Sequence, residues 1–173
     1  MKNLFICILF ASLPFNLGIA ANTRLAGNGI GPFVVGKPPL KPAKSSLVFR
    51  KWESDENGVT YEFIRIKLNR TAVDAEVYDG RVWRISINER GISTVDGISV
   101  GNDAGQVLRE NEFVNPEIGP GPTVVLISNN PCGLSYITDA KMPSDLETPL
   151  NRETAVPILK FAKIRKIVAS GCG

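Results

Sequence analysis

One stretch constrains this chain more than any other: Asp79–Asn102, DGRVWRISINERGISTVDGISVGN. It opens on an Asp79-Gly80 step, and such a pair tolerates the positive φ angles that a tight hairpin turn demands. Trp83, Ile85 and Ile87 then alternate with Val82, Arg84 and Ser86, the period-2 pattern of a strand with one buried face. The alternation predicts that the Trp83 face is the core side. A turn over Asn88–Gly91 and a short strand closing on Gly101 complete the unit.

The flanking segments follow the same grammar. Leu47–Trp52 and Val59–Leu68 read as strands joined by Ser54–Gly58, whose Asn57-Gly58 step is a hairpin signal. Val73, Ala75 and Val77 alternate with Asp74, Glu76 and Tyr78. Thr123–Ser128, Leu134–Thr138 and Phe161–Ala169 read as later strands, and Gly29–Gly36 as a short apolar one. Before it, Asn22–Gly31 is polar and Gly-rich, a flexible entry. After it, the prolines of Lys37–Pro42 lack amide donors and predict an extended surface connector. Asp103–Glu110 fits a short helix capped by Asn102 or Asp103, with Val107 and Leu108 as its buried side. Asn115–Pro122 is a loop by composition. Ala140–Pro157 is a long connection in which Ser144 and Glu147 have capping-box spacing.

These elements predict a mainly β (α+β) fold: an antiparallel sheet with one or two short helices. An internal echo predicts a division into two related halves, 29–91 and 92–173. Val35-Gly36 recurs as Val100-Gly101, and Val82-Trp83-Arg84-Ile85 recurs as Ile164-Arg165-Lys166-Ile167.

The first 20 residues read as a secretory signal peptide: Lys2, an uncharged apolar run, then Gly18 and Ala20 before a cut after Ala20 or Ala21. A membrane anchor is the competing reading, but Pro14 and Asn16 break the short apolar core. Residues 21–173 then form a single secreted β-rich domain, in the periplasm or outside the cell, with no stable membrane insertion. The formal charge of +3 lacks the concentrated basic surface of a nucleic-acid binder. Lys160, Lys163, Arg165 and Lys166 are spread along an alternating strand, as on a solvated face. Beyond Cys7 in the signal, Cys132 and Cys172 remain, and an oxidising compartment makes a disulfide their simplest fate. Two free thiols or half a metal site is the alternative.

Candidate chemistry is sparse. The chain has no histidine, which excludes His-based triads and imidazole metal ligands. No phosphate-cradling glycine motif precedes a helix, and the residues imply no cofactor. Asp74 and Glu76 share a strand face at the spacing of a general acid–base pair, although any water-facing strand side looks the same. Asp55, Glu56 and Asn57 lack the full calcium-loop pattern. Ser144 with Lys141 allows a Ser–Lys hydrolase only without a local motif. The loops offer more for binding: Phe113, Asn115 and Ile118 in one, Met142, Ser144, Asp145 and Leu150 in the other.

Gly80–Ile85 (GRVWRI), Thr94–Gly101 (TVDGISVG), Cys132, Met142–Asp145 (MPSD) and Ala162–Val168 (AKIRKIV) resemble the RpoE-regulated (envelope-stress) lipoproteins, small Gram-negative envelope proteins of unknown function. The resemblance spans Asp79–Cys172 and implies an envelope compartment and a β-rich fold. It carries over no catalytic or ligand residue. This chain departs from the family in having no lipobox cysteine at the cleavage site, so a soluble rather than an anchored form is expected. The expectation is a non-enzymatic secreted protein that binds another protein, as an inhibitor or immunity protein against a toxic or lytic enzyme. Its rival is an envelope-maintenance protein that contacts envelope components through a sheet edge or patch. A carboxylate or Ser–Lys hydrolase ranks last.

Overall fold

The computed structural model describes residues 24–40, 47–54, 58–143 and 149–172. The signal segment, the Asp55–Asn57 hairpin tip, Ser144, Asp145 and the Ser144–Glu147 capping-box spacing lie outside the described residues. In chain order the elements are β1 (Gly29–Ile30), β2 (Phe33–Val34), β3 (Leu47–Ser54), β4 (Thr60–Leu68), β5 (Thr71–Tyr78) and β6 (Arg81–Ile87). Then come α1 (Ala104–Glu110), β7 (Val114–Ile118), β8 (Thr123–Ser128), β9 (Leu134–Lys141), α2 (Arg152–Ile158) and β10 (Ile164–Ala169). The protein is mainly β, with two short helices and a Cys132–Cys172 disulfide.

β1 and β2 make a small hairpin, and the other eight strands form one antiparallel sheet ordered β3-β4-β5-β6-β10-β9-β8-β7. Local chemistry explains its hairpins. Asn69-Arg70 and Asp79-Gly80 each place two consecutive residues at positive φ, the two-residue turn whose twist matches the strands it joins. The sheet is two four-stranded meanders abutting through their last strands, β6 and β10.

The geometry repeats at the positions of the sequence echo. Gly36 donates to Val82 O and Val82 to Lys37 O; in the second half Gly101 donates to Ile164 O and Ile164 to Asn102 O. Each closing strand also carries a bulge at the matching residue. Glu76 and Val77 of β5 face Arg84 and Val82, so Trp83 is the extra residue on β6. Ile137 and Thr138 of β9 face Lys166 and Ile164, so Arg165 is the extra residue on β10.

One cross-strand row shows where the core lies. Ala75, Ile85, Ala169, Leu134, Ser128 and Val114 are successive partners, and none is more than 2% exposed. This inner face shares a core with Leu25, Ile30 and Phe33 from the entry, Ala104 and Leu108 of α1, and Ala155 of α2. Burying each large aliphatic side chain contributes roughly 1.5–3 kcal/mol.

Several sequence expectations are corrected. Trp83 is not a core anchor: it is 61% exposed, while Val82, Ile85 and Ile87 are buried. The bulge changes the phase of the alternation after one residue, which a strict period of two does not anticipate. The entry, from Arg24 onward, is not loose. Leu25 is fully buried, donates to Ser93 O and accepts from Val95, and Gly27 sits so tightly that a Cβ there would lie 1.7 Å from Cys132 O. Asn115–Ile118 belongs to a strand rather than a loop. Pro116 is accommodated because β7 is an edge strand whose missing donor costs no sheet bond. The Ala140–Pro157 connection is shorter than expected: Ala140 and Lys141 belong to β9, and from Arg152 it runs into α2, capped reciprocally by Asn151 and Thr154.

Candidate functional site

The bulge at Trp83 organises the outer face of the first meander. Across it, Lys51, Phe63, Glu76 and Arg84 are successive partners on β3 to β6, with Glu53 opposite Tyr61 alongside. At the end of these strands Val59, Tyr61, Glu76, Tyr78, Trp83 and Arg84 line a cleft of about 380 Å³. Trp83 and Tyr78 remain 61% and 52% exposed. Phe49, 44% exposed, and Phe63 continue the aromatic surface, their rings 6.3 Å apart in an edge-on arrangement. Lys51 and Arg65 lie over the Phe63 ring.

The polar groups of the cleft hold one another in place. Arg84 Nη2 donates to both Glu76 carboxylate oxygens, at 2.8 and 2.7 Å, and its Nε adds a bond of 3.1 Å. Tyr61 donates its hydroxyl to Glu53 at 3.0 Å. Glu76 and Arg84 therefore form a locally neutral, oriented pair beside three aromatic rings. Asp74 on the same face is 4% exposed and clamped by Arg65, with bonds of 2.5 and 2.8 Å. This corrects the expectation of a solvated carboxylate face: the strand's acids are covered by arginines from neighbouring strands.

The second half shows what the bulge itself requires. Its extra residue, Arg165, bonds to Asp139 at 2.6 Å. Burial pushes the Asp139 carboxyl up, but the Lys163 N–H and the Arg165 guanidinium outweigh it and hold the group below the usual carboxylate range. The same backbone device thus carries a paired surface charge in one half and an exposed indole in the other. The indole is not needed to make the bulge.

A second cleft of about 510 Å³ lies between the Asp96 turn, α1 and the segment before β7, lined among others by Asp96, Ile98, Glu110 and Phe113. Buried Tyr136 donates to Asp96 at 3.0 Å. Burial, and then the neighbouring Asp96 charge, raise its pKa, so its hydroxyl stays a donor. Arg152 fixes the cleft wall from α2 by donating to the carbonyls of Leu108, Asn111, Glu112 and Val114.

The residues expected to bind are divided by the structure. Phe113 and Ile118 are exposed, at 45% and 65%, Phe113 just before β7 and Ile118 at its end, with Asn115 half-buried between them. Met142 and Leu150 are partly buried side chains packed against the core. The cleft residues Tyr61, Tyr78, Trp83 and Arg84 were not predicted. The Tyr78-Asp79-Gly80 turn was legible, but bringing these four together requires the register of β4 to β6 and the bulge.

No family model matches the chain, and no curated protein matches it. Among solved structures it is similar to the crystal structure of the uncharacterized protein yfeY from Escherichia coli. The TM-score is 0.59 at 17% identity, over 85% of this chain and 99% of that one. The likeness defines a shared fold.

Proposed function

We propose that this protein is a non-enzymatic binding protein of the periplasm or extracellular space that docks a protein partner on the outer face of β3 to β6. The observation that carries the reading is the exposed indole of Trp83, placed outward by a bulge whose counterpart carries only a paired arginine. Tryptophan, tyrosine and arginine are the residue types on which binding energy at protein interfaces concentrates, and here Trp83, Tyr61, Tyr78 and Arg84 share one cleft. The signal pattern and the disulfide support the compartment. Within this reading the protein acts as an inhibitor or immunity protein against a toxic or lytic enzyme.

Capture from periplasmic extract tests it. The wild-type protein is expected to retain one dominant enzyme near stoichiometry, and Trp83→Ala to lose at least nine-tenths of it. Recovery of outer-membrane assembly components alone would replace inhibition by envelope maintenance. Equal retention by wild type and Trp83→Ala would remove the cleft from the account.

A further inference from the structure

The two edges of the sheet are built differently. On β7 the backbone groups of Val114, Pro116 and Ile118 face away from β8, because Phe113 O accepts from Asn129 next to β8 while Val114 O accepts from Arg152. Val114 N donates to Asn111 O, and Pro116 has no N–H to offer. That edge is closed to a further strand by the usual devices. β3, at the other end of the sheet, has eight residues and no proline.

The hairpin register identifies which β3 groups face outward. Leu68 and Thr71 flank the two-residue Asn69-Arg70 turn, so they exchange both backbone bonds, as do Ile66 with Val73 and Ile64 with Ala75. Tyr61, Phe63 and Arg65 therefore point their backbone groups at β3, towards Glu53, Lys51 and Phe49. The N–H and C=O of Arg50 and Trp52 face away from the sheet. Beside them Trp52 is 69% exposed and Phe49 44%. The Arg50 and Lys51 side chains, 56% and 44% exposed, are paired with Glu62 and Glu53 of the protein's own strands rather than placed as blocking charges beyond the edge.

We propose that the partner docks by adding an extended segment to the edge of β3 that no other described strand covers, bonding to the backbone of Arg50 and Trp52. This rests on the protein-docking reading and specifies its mode. Cross-strand pairing defines the segment's chemistry: apolar or β-branched residues beside Phe49 and Trp52, and uncharged residues beside Arg50 and Lys51, whose charges Glu62 and Glu53 already meet. Lys51 and Glu53 are cross-strand partners of Phe63 and Tyr61, so a segment seated here continues directly into the aromatic face.

The probe is a synthetic eight-residue peptide with two central threonines flanked by valines, compared with the same peptide N-methylated at alternate amides. Hydrogen exchange of full-length protein is read at single amides. The unmodified peptide is expected to slow exchange at Arg50 and Trp52 at least tenfold. Trp52→Ala retains that protection with weaker affinity, whereas Trp52→Pro abolishes binding. The proline removes only an outward donor, so its sheet signal in circular dichroism should match wild type. The N-methylated peptide supplies the same test without any substitution. No slowing at millimolar peptide, or equal binding of the N-methylated form, would overturn strand addition. A captured partner lost by Trp83→Ala but kept by Trp52→Pro would overturn it while leaving the docking reading intact.

Discussion

Val82 and Trp83 are chain neighbours with opposite fates: one is 1% exposed and the other 61%. The bulge separates them, and it predicts opposite costs of truncation. Val82→Ala should lower unfolding free energy by about 2 kcal/mol through the cavity it leaves. Trp83→Ala should change it by no more than about 0.5 kcal/mol. Urea denaturation of both variants checks the pair, and reversed magnitudes would restore Trp83 to the core. Arg84→Ala should also fall below about 1 kcal/mol, because its side chain is 42% exposed and such pairs are screened. The strand itself was legible from Val82 to Ile87. Its phase was not, because period-2 reasoning carries no information on where an extra residue enters.

The elements divide in the same way. Asp79-Gly80, the β4–β5–β6 meander and the Asp103-capped helix were readable because local chemistry decides them; Asp103 accepts from the Gln106 N–H at 2.8 Å. β7 and α2 were missed because tertiary context overrides composition there. Pro116 is harmless at an edge, and Pro157 falls in the last turn of α2, where seven residues are held by the Asn151–Thr154 cap. Arg152 ties these two elements to α1 through four carbonyls. Arg152→Ala should therefore cost about 2–3 kcal/mol, since the part-buried carbonyls of Leu108, Asn111 and Val114 lose a charge-assisted donor together. Lysine, which cannot reproduce the planar fork, should recover less than half of the loss in thermal unfolding.

At the scale of the molecule, the disulfide joins residues 40 apart and secures the end of the chain to the β8–β9 turn. Chain-entropy reasoning gives about 4 kcal/mol, so reduction or Cys172→Ser should lower stability by about that amount. Wild-type protein should show no reactive thiol from Cys132 or Cys172 under denaturing, non-reducing conditions. Acid adds a second handle. Asp103 is held below the usual range chiefly by the Gln106 N–H, and Asp139 lies low for the reasons above. A depressed folded pKa contributes stability above the unfolded carboxylate value of about 4, and that contribution is lost as pH falls through the folded pKa. Urea midpoints should thus decline below about pH 4, and Asp139→Asn should make that decline shallower.

The mainly β class, the short helices and the disulfide were accessible to sequence reasoning. The cleft was not, since Tyr61, Tyr78 and Trp83 meet only through strand register. Its placement on the surface is the central claim, and quenching of Trp83 fluorescence in a Trp52→Phe background tests it most directly. In the free protein a neutral quencher should reach the indole freely, and in complex with the captured partner it should be shielded. An indole already protected in the free protein, or equally accessible in the complex, would contradict the account.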